Sequence, residues 1–447
     1  MKFGTDGVRG VANSELTAEF ALRLGRAAAI VLVGASDRVS ERRSVVIGGD
    51  TRESTPMLDA ALAAGFAAEG VDVVRLGVVP TPMVAFEAQR RDAVGAMVSA
   101  SHNPFADNGI KLFAAGGVKL TDEVEQRIES QLEVLMPPTG TPGTISPNVG
   151  AHGPYIDHVL GALDGRRLDG LKVVIDAANG AAHVVAAEAL TAAGADVILV
   201  AAEPDGRNIN AGCGATVPSF VAEAVRAHGA DVGVALDGDA DRLIAVDHTG
   251  TVVDGDHVIA IAAADLRQRG ELRNDTVVVT VMTNLGFRLA MRTAGIEVVE
   301  TAVGDRYVLE ALAAGGHSLG GEQSGHVIFA DHATTGDGLL TALVLLDAVK
   351  RSGRPLAELA AASMTSLPQV LVNVRVPARV PDFGHEVAAR LASEIAEAER
   401  KLGDDGRVLV RPSGTEPLIR VMVEAPTAEL AQATADELAA AVHRHFG

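Results

Sequence analysis

A serine and a histidine stand together where a buried strand is expected to end. Residues 93–98 form a continuous apolar run, and Ser101-His102-Asn103-Pro104 follow, with an Asn-Pro pair that enforces a turn. We therefore expect the Ser101 hydroxyl on a rigid, exposed corner. The turn has two interpretations: a plain polar connection, or a site at which Ser101 carries a phosphoryl group.

Three carboxylates at alternate positions follow a second apolar strand. Asp237, Asp239 and Asp241 come directly after residues 230–236, and if the loop curls they converge on one hard cation such as Mg²⁺, Mn²⁺ or Ca²⁺. The sequence does not fit an EF-hand, because the sixth loop position is not glycine and the twelfth is not glutamate. A solvated acidic loop is the alternative, but acids crowded at the end of a buried strand repel one another without a cation.

Two basic residues occur in motifs near these groups. Lys111 follows the serine turn and is close enough in sequence to return to Ser101, as a proton-transfer group or a phosphate counter-ion. Arg9 lies in a glycine-rich loop, residues 3–10, whose amides and guanidinium could face an anion. The alternatives are a surface lysine and an ordinary N-terminal turn.

Three further polar loops follow predicted strands. Residues 302–307 include Gly304, Asp305 and Arg306, and residues 320–326 carry donors and acceptors suited to sugar hydroxyls. The loop at 411–417 resembles a phosphate cradle, with an arginine shortly after it. A polar hairpin and a β-turn are the alternatives for the last two loops. The candidate residues of these two loops are Glu322, Ser324, His326, Arg411, Ser413, Gly414, Thr415 and Arg420.

The elements that must position these loops form a repeated β-α-β pattern. In each copy the helix ends at a glycine, Gly70, Gly194 or Gly295, and a new apolar strand begins. Strands that alternate with helices predict parallel sheets, whose ligands gather at the carboxyl ends of strands. The predicted strand, helix and strand of the copies are 44–49, 55–69 and 70–74; 171–176, 181–193 and 194–198; and 276–281, 285–294 and 295–299.

The chain is expected to contain four domains. A segment rich in Pro and Gly at 136–154 and boundaries near 249–256 and 365–369 divide it into 1–153, 154–252, 253–367 and 368–447. The last segment breaks the repeat and predicts an α+β domain. Its predicted strands are 370–376, 407–410 and 418–425, and its predicted helices are 385–402 and 428–443.

Composition excludes several classes of protein. The net charge of −20 argues against a general nucleic-acid binder, and the single cysteine allows neither an internal disulfide nor a thiolate metal cluster. The N-terminus has no apolar signal core, and the longest apolar runs fall far short of a membrane span, so we expect a soluble cytoplasmic protein. The sequence contains neither a G-K-[ST] phosphate loop nor an H-E-x-x-H zinc motif.

Taken in order, the serine, acidic, sugar and phosphate loops resemble those of the α-D-phosphohexomutases over essentially the whole chain. Residues 3–10, Gln323 and residues 205–210 leading to Cys213 are typical of the branch that acts on glucosamine phosphates. Residues 215–217 are Ala-Thr-Val where that branch usually has Ser-Thr-His, which weakens any role for side chains of that loop.

The resemblance implies a fold and a reaction. The fold would be three related mixed α/β domains plus a smaller α+β C-terminal domain around a central cleft. Phospho-Ser101 would convert glucosamine 6-phosphate to glucosamine 1-phosphate through glucosamine 1,6-bisphosphate, for UDP-N-acetylglucosamine and cell-wall precursor synthesis. One Mg²⁺ per chain would be held by Asp237, Asp239, Asp241 and the phosphoserine. The chain would bind a small-molecule sugar phosphate and neither nucleic acid nor membrane. A homodimer is its possible assembly.

Residue roles follow from the same resemblance. Lys111 and Arg9 would assist proton transfer and hold the phosphoserine, with His102 and His326 as second candidates. Glu322 and Ser324 would bind sugar hydroxyls, and Gly304, Asp305 and Arg306 would also contact the substrate. The phosphate that does not react would be held by Arg411, Ser413, Gly414, Thr415 and Arg420.

Three other functions remain open at this point. A phosphoglucomutase or phosphomannomutase would use the same fold on a different sugar. A metal-dependent sugar-phosphate phosphatase would release phosphate instead of the 1-phosphate isomer. A non-catalytic sugar-phosphate-binding protein would neither carry phosphate on Ser101 nor acquire it from the bisphosphate.

Overall fold

The structure, a computed structural model, describes residues 2–4, 6–34, 44–148, 152–377, 383–412 and 417–447. The chain forms two compact units. The first consists of Met1–Met282 and Gly295–Ser363, and the second of Thr283–Ala294 and Met364–Gly447. In the described part of the chain, no helix is both long and apolar enough to span a bilayer.

The first sheet of unit one has strand order β1-β5-β4-β2-β3-β7, with β6 paired to β5. Strands β2, β3, β4 and β7 are parallel, whereas β5 is antiparallel to its neighbours β1 and β4. Strand β4 is buried along its whole length and ends just before the serine turn. The elements are β1 (Val8–Val11), α1 (Ala18–Ala28), β2 (Ser44–Gly49), α2 (Thr55–Ala68), β3 (Asp72–Val78), α3 (Thr81–Arg91), β4 (Val94–Val98), β5 (Asp107–Ala114), β6 (Val118–Lys119), α4 (Asp122–Glu133) and β7 (Ile145–Pro147).

The second sheet has strand order β12-β11-β10-β8-β9. Strand β8 runs parallel to β9 and β10, and the acidic loop connects β10 to its antiparallel partner β11. The predicted helix at 181–193 starts later, at Val185, and the Ala181 N–H is bonded to Gly238 O (2.8 Å) in the acidic loop. The elements are α5 (His152–Gly161), β8 (Lys172–Asp176), α6 (Val185–Ala192), β9 (Asp196–Val200), α7 (Pro218–His228), β10 (Val232–Leu236), β11 (Leu243–Asp247) and β12 (Val252–Val253).

The third sheet has strand order β14-β13-β15-β16 and is parallel except for the β15–β16 hairpin. The predicted sugar loop is the connection between β15 and β16. The elements are α8 (Gly255–Arg269), β13 (Thr276–Thr280), α9 (Leu285–Ala294), β14 (Glu297–Thr301), α10 (Asp305–Gly315), β15 (Leu319–Gly321), β16 (Val327–Phe329), α11 (Gly338–Ser352) and α12 (Leu356–Ser363).

Unit two contains helix α9 and an antiparallel sheet of order β17-β19-β18. Glu424, buried on β19, accepts a hydrogen bond from the Leu285 N–H (2.9 Å) at the start of α9. The predicted single helix at 385–402 is two helices, because Leu391 leaves helical geometry (φ −102°, ψ 5°) while its side chain stays in the core. The elements are β17 (Gln369–Arg375), α13 (Phe383–Arg390), α14 (Ala392–Leu402), β18 (Arg407–Pro412), β19 (Leu418–Glu424) and α15 (Ala428–Phe446).

The predicted fold class is confirmed. In the first three sheets helices connect parallel strands, as in mixed α/β domains, and the last, antiparallel sheet packs with helices as an α+β arrangement. The glycines that close the three repeated helices, Gly70, Gly194 and Gly295, have φ values of 82°, 100° and 68°. A left-handed conformation after the last helical turn is the geometry for which glycine is favoured.

Candidate active site

The serine turn places the Ser101 hydroxyl against the acidic loop. Ser101 Oγ donates to Asp237 Oδ2 (2.6 Å) and lies 3.2 Å from His102 Nδ1. The prediction of an exposed corner is wrong: Ser101 is fully buried. The reason is the close approach of Gly238, where a Cβ atom would stand 2.6 Å from Ser101 O.

The two serines of the turn have different surroundings. Ser99 Oγ accepts a hydrogen bond from the Ser101 N–H (2.9 Å), and the Ser99 N–H is bonded to Gly109 O (3.0 Å). Ser99 therefore shapes the turn, whereas the Ser101 hydroxyl faces the carboxylates. This arrangement supports Ser101 over Ser99 as the group that carries phosphate.

Asp237, Asp239 and Asp241 form a buried cluster in which one carboxylate oxygen from each residue lies within 4.8 Å of the other two. The buried Oδ1 atoms of Asp239 and Asp241 accept no hydrogen bond, although His326 Nδ1 and Arg242 Nε lie 3.7 and 3.8 Å from Asp241 Oδ1. Burial, with the charges of Asp241 and Asp239, raises the pKa of Asp237 to about 8. Unpartnered carboxylate oxygens in such a cluster fit a hard divalent cation, which would supply the missing positive charge.

Elements of the other two sheets of unit one fix the backbone of this loop. The Thr81 N–H, at the start of α3, donates to Asp239 O (2.9 Å), and the Gly338 N–H, at the start of α11, donates to Ala240 O (3.0 Å). Ala240 itself has a φ of 57°, in the left-handed region. Contacts from both sides therefore hold the curl that brings the three carboxylates together.

Lys111, on β5, bonds to the acidic loop. Its Nζ donates to Asp239 Oδ2 (2.8 Å) and Asp241 Oδ2 (3.0 Å), and lies 2.9 Å from Asp6 Oδ2. Burial lowers the pKa of Lys111, but the three carboxylates outweigh burial and hold that pKa well above its usual value. Lys111 is thus a fixed cation paired with the acidic loop, and not directly with Ser101 as the sequence suggested. Arg9 pairs with Asp6 as well.

The two candidate histidines differ in environment. Burial, together with the charges of Arg242 and Arg9, lowers the pKa of His102 to about 4, so its imidazole is neutral near neutral pH. His326 is buried, and its Nε2 accepts from the Gly336 N–H (3.0 Å). That bond leaves the ring proton on Nδ1, which faces Asp241 Oδ1 at 3.7 Å.

The predicted sugar loop and the loop before α10 are in contact. Glu322 Oε1 accepts from the Gly304 N–H (3.2 Å), and Ser324 is exposed. Asp305 is buried and pairs with Lys119. Arg306, in contrast, points to helix α4, where its guanidinium pairs with Asp122 and Glu125.

In unit two, Arg411 and Arg420 stand directly opposite each other on β18 and β19. Burial and the neighbouring Arg420 lower the pKa of Arg411, and Arg420 Nε is buried without a hydrogen-bond partner. Like charges at opposed positions are unfavourable unless an anion lies between them. The predicted phosphate-loop residues Ser413, Gly414 and Thr415 lie outside the described residues.

Comparison with known proteins identifies the family. Four phosphoglucomutase/phosphomannomutase models match in order: alpha/beta/alpha domains I, II and III at residues 1–136, 153–250 and 254–367, and the C-terminal domain at 371–441. A phosphoglucosamine mutase of Frankia alni is 57% identical, with 98% of this chain and 97% of that protein covered. The chain belongs to the phosphoglucomutase/phosphomannomutase family.

Two other members of the phosphoglucomutase/phosphomannomutase family agree with this assignment. A phosphoglucosamine mutase of Streptomyces griseus is 53% identical and covers 100% of this chain and 99% of its own length. The crystal structure of a phosphoglucomutase/phosphomannomutase family protein from Burkholderia thailandensis superposes with a TM-score of 0.82 at 26% identity. It covers 99% of this chain and 97% of that one. The resemblance seen in the sequence is confirmed.

Reasoning from the sequence missed several residues around the site of this phosphoglucomutase/phosphomannomutase family member. Asp6 and Lys119 link Lys111 to Asp305 through a chain of ion pairs. Lys119 carried a weak signal, because lysine is scarce in this chain and one close to a functional motif is unusual. Arg52 and Thr81 had no such signal, because their partners lie far away in the sequence. Asn210 belongs to the segment 205–210 noted in the sequence, but its bond to the serine turn, 109 positions away, was not predicted.

Proposed function

We propose that this chain is an isomerase that interconverts glucosamine 6-phosphate and glucosamine 1-phosphate. Relatives named phosphoglucosamine mutase, at 53–57% identity over nearly the whole chain, support the choice of substrate. The observation that carries the mechanism is the Ser101 hydroxyl, bonded at 2.6 Å to a member of the buried carboxylate cluster.

The reaction consists of two phosphoryl transfers that use the same serine. O1 of glucosamine 6-phosphate attacks the phosphorus of phospho-Ser101. The bond between that phosphorus and Oγ breaks, and glucosamine 1,6-bisphosphate forms. The bisphosphate turns over, and Ser101 Oγ attacks the phosphorus on O6, which releases glucosamine 1-phosphate. In each step the attacking hydroxyl loses a proton and the leaving oxygen gains one, so atoms and charge balance over the cycle.

Asp237, Asp239 and Asp241, with the phosphoserine, would hold Mg²⁺, which when bound offsets the negative charge of the transferring group. The protein's own cation in this region is Lys111, fixed by Asp239 and Asp241. A lysine with a raised pKa stays protonated, so it serves as a fixed positive charge and hydrogen-bond donor and not as a base.

His102 would hold a proton at Ser101 Oγ. Its Nδ1 lies 3.2 Å from that oxygen, and its lowered pKa keeps the ring neutral and able to accept. Arg9 would contribute positive charge to the phosphoserine. His326, whose Nδ1 proton faces Asp241, would orient that carboxylate.

For the substrate, we assign the sugar hydroxyls to Glu322 and Ser324, with Gly304 and Asp305 beside them. Glu322 reaches the Gly304 N–H, so the two loops act together. Arg306 as a substrate ligand stays a prediction, since its guanidinium pairs with α4. In unit two, the opposed Arg411 and Arg420 would bind a substrate phosphate, together with Ser413, Gly414 and Thr415. The homodimer and the cytoplasmic location remain predictions.

A comparison of sugar phosphates tests the proposed function. The purified protein, supplied with Mg²⁺ and catalytic sugar bisphosphate, is assayed on glucosamine, glucose and mannose phosphates. We expect the highest kcat/KM on glucosamine phosphate and accumulation of the 1-phosphate isomer without release of inorganic phosphate. Greater efficiency on glucose or mannose phosphate, or net phosphate release, would overturn the assignment.

A further inference from the structure

Two side chains, one from the loop after β2 and one from the loop between β9 and α7, bind the same two carbonyl oxygens of the serine turn. Arg52 Nη2 donates to Ser101 O (3.1 Å) and to Asn103 O (2.6 Å). Asn210 Nδ2 donates to Ser101 O (2.9 Å) and to Asn103 O (3.2 Å). Each of the two carbonyl groups therefore accepts a hydrogen bond from both side chains.

Arg52 is a rigid donor. Arg52 follows strand β2, and its side chain is fully buried. The Asp50 carboxylate pairs with Arg52 Nη1 and accepts a hydrogen bond from the Arg52 N–H (3.0 Å). Thr55 Oγ1 donates to the same carboxylate (2.9 Å). The charge of the guanidinium is thus compensated, and its remaining Nη2 protons are directed at the turn.

Asn210 is fixed by the second sheet of unit one. Its N–H donates to Ala178 O (2.9 Å), in the loop after β8. It ends a segment, residues 205–210, that docks on the loop before α2 through the Glu53 N–H and Gly206 O (2.9 Å). Asn210 is therefore held both by the loop after β8 and by the residue next to Arg52, which ties the two donors of the turn to each other.

The turn needs such support because Ser101 has a φ of 54°, in the left-handed region that a serine rarely adopts. A conformation of this kind is strained and persists only when its surroundings over-determine it. Phosphoryl transfer depends on the position of Ser101 Oγ, and a displacement of about 1 Å can cost roughly a hundredfold in rate. The charge on that oxygen also changes in each half of the cycle.

We propose that Arg52 and Asn210 are positioning residues that clamp the Ser101 turn, so that Oγ keeps one direction through both phosphoryl transfers. This inference rests on the proposed function, because it assigns the two donors to that catalytic cycle. It makes a specific demand: loss of a donor should slow transfer to and from Ser101 while leaving substrate binding intact.

Asn210→Ala removes one half of the clamp, and Asn208→Ala is its matched control. Asn208 lies in the same segment and stabilises it through Asp205 and Glu203, without contact to the serine turn. We expect Asn210→Ala to lower kcat about 30- to 100-fold with KM changed less than about threefold. Asn208→Ala should keep kcat within about threefold of wild type. An equal loss in both variants would overturn the proposal.

Arg52→Lys tests the other half while keeping the charge that Asp50 requires. A lysine lacks the planar fork of donors, so we expect it to bond the two carbonyl groups poorly and lower kcat at least about tenfold. An Arg52→Lys protein with kcat within about twofold of wild type, or with a raised KM alone, would contradict the clamp.

Two readouts separate positioning from general destabilisation. In the variants, amide hydrogen exchange should be faster in peptides that cover 99–104 and unchanged in peptides from the sheets. The rate at which glucose 1,6-bisphosphate phosphorylates Ser101, measured by the mass of the intact protein, should fall by the same factor as kcat. Faster exchange throughout the chain, or no increase in the exchange rate of the turn, would overturn the proposal. Absence of mutase activity in the wild type would instead defeat the proposed function, and the exchange measurement would still decide whether the clamp exists.

Discussion

Thr81 Oγ1 donates to Asp239 Oδ2 across 2.6 Å, while the Thr81 N–H holds the carbonyl group of the same aspartate. Both contacts come from the first residue of helix α3, so one residue fixes the side chain and the backbone of a proposed metal ligand. Partners that orient metal ligands commonly contribute 10–100-fold in metal affinity. Thr81 is therefore expected to tune the acidic loop without contact to substrate.

Thr81→Val keeps the shape and the N–H but removes the hydroxyl. We expect the Mg²⁺ concentration for half-maximal activity to rise about tenfold or more, because Asp239 loses a donor that orients it. Activity at saturating Mg²⁺ should largely recover. Thr81→Ser, which keeps the hydroxyl, is the matched control and should behave like wild type; an unchanged Mg²⁺ requirement in Thr81→Val would contradict this role.

The opposed arginines of unit two predict a phosphate site. Arg420→Met should raise KM for the sugar phosphate about tenfold or more, because a charge-assisted bond to phosphate is lost. It should not lower the melting temperature, because it also removes the repulsion with Arg411. Steady-state kinetics and thermal melting measure both effects.

Arg375→Met provides the control for that prediction. Arg375 is an exposed residue of β17, in the same sheet. We expect its KM to match that of wild type. If Arg420→Met keeps a wild-type KM, or if Arg375→Met raises KM equally, the assignment of the phosphate site fails.

Asp176 predicts a pH-dependent stability that is separate from the acidic loop. It is buried at the end of β8, where its carboxylate accepts from the Ala178 and Gly214 N–H groups, and burial raises its pKa to about 6. Between about pH 4 and 6 the folded chain keeps a proton that the unfolded chain has released. The contribution of Asp176 to stability is therefore present at low pH and lost as pH rises through 6, by up to about 3 kcal/mol.

Asp176→Asn isolates this effect, because the amide does not titrate. The melting temperature of the variant minus that of wild type should increase from pH 4.5 to pH 7, then stay level. The other titrating groups cancel in the difference. A difference that is constant with pH would show that the pKa of Asp176 is not raised.

Much of the architecture could be predicted because its signals are local. The glycine after each repeated helix, and the apolar strand that follows, marked the three β-α-β units within a residue or two at most boundaries. Asp237, Asp239 and Asp241 could be found together because they are close in sequence, although the curl that makes them converge depends on contacts from α3 and α11. The break between helices α13 and α14 at Leu391 could not be predicted, because that position has neither Gly nor Pro and the break follows from core packing.

The burial of the serine turn could not be predicted from its own residues. Ser101 is enclosed by Gly238 and by donors on Arg52 and Asn210, which are 49 and 109 positions away in the chain. Contacts of that kind depend on how the first two sheets pack, which no local pattern encodes. The pairing of Lys111 with Asp239, across 128 positions, was missed for the same reason.

The central claim is that Ser101 is the reusable phosphoryl carrier, and phosphopeptide mapping tests it most directly. Wild type, Ser101→Ala and Ser99→Ala proteins are each incubated with glucose 1,6-bisphosphate, mapped and assayed for mutase activity. We expect a single phosphorylated site, Ser101, in wild type and in Ser99→Ala, and neither phosphate nor activity in Ser101→Ala. Phosphate on Ser99 or another residue, with full activity retained in Ser101→Ala, would contradict the mechanism.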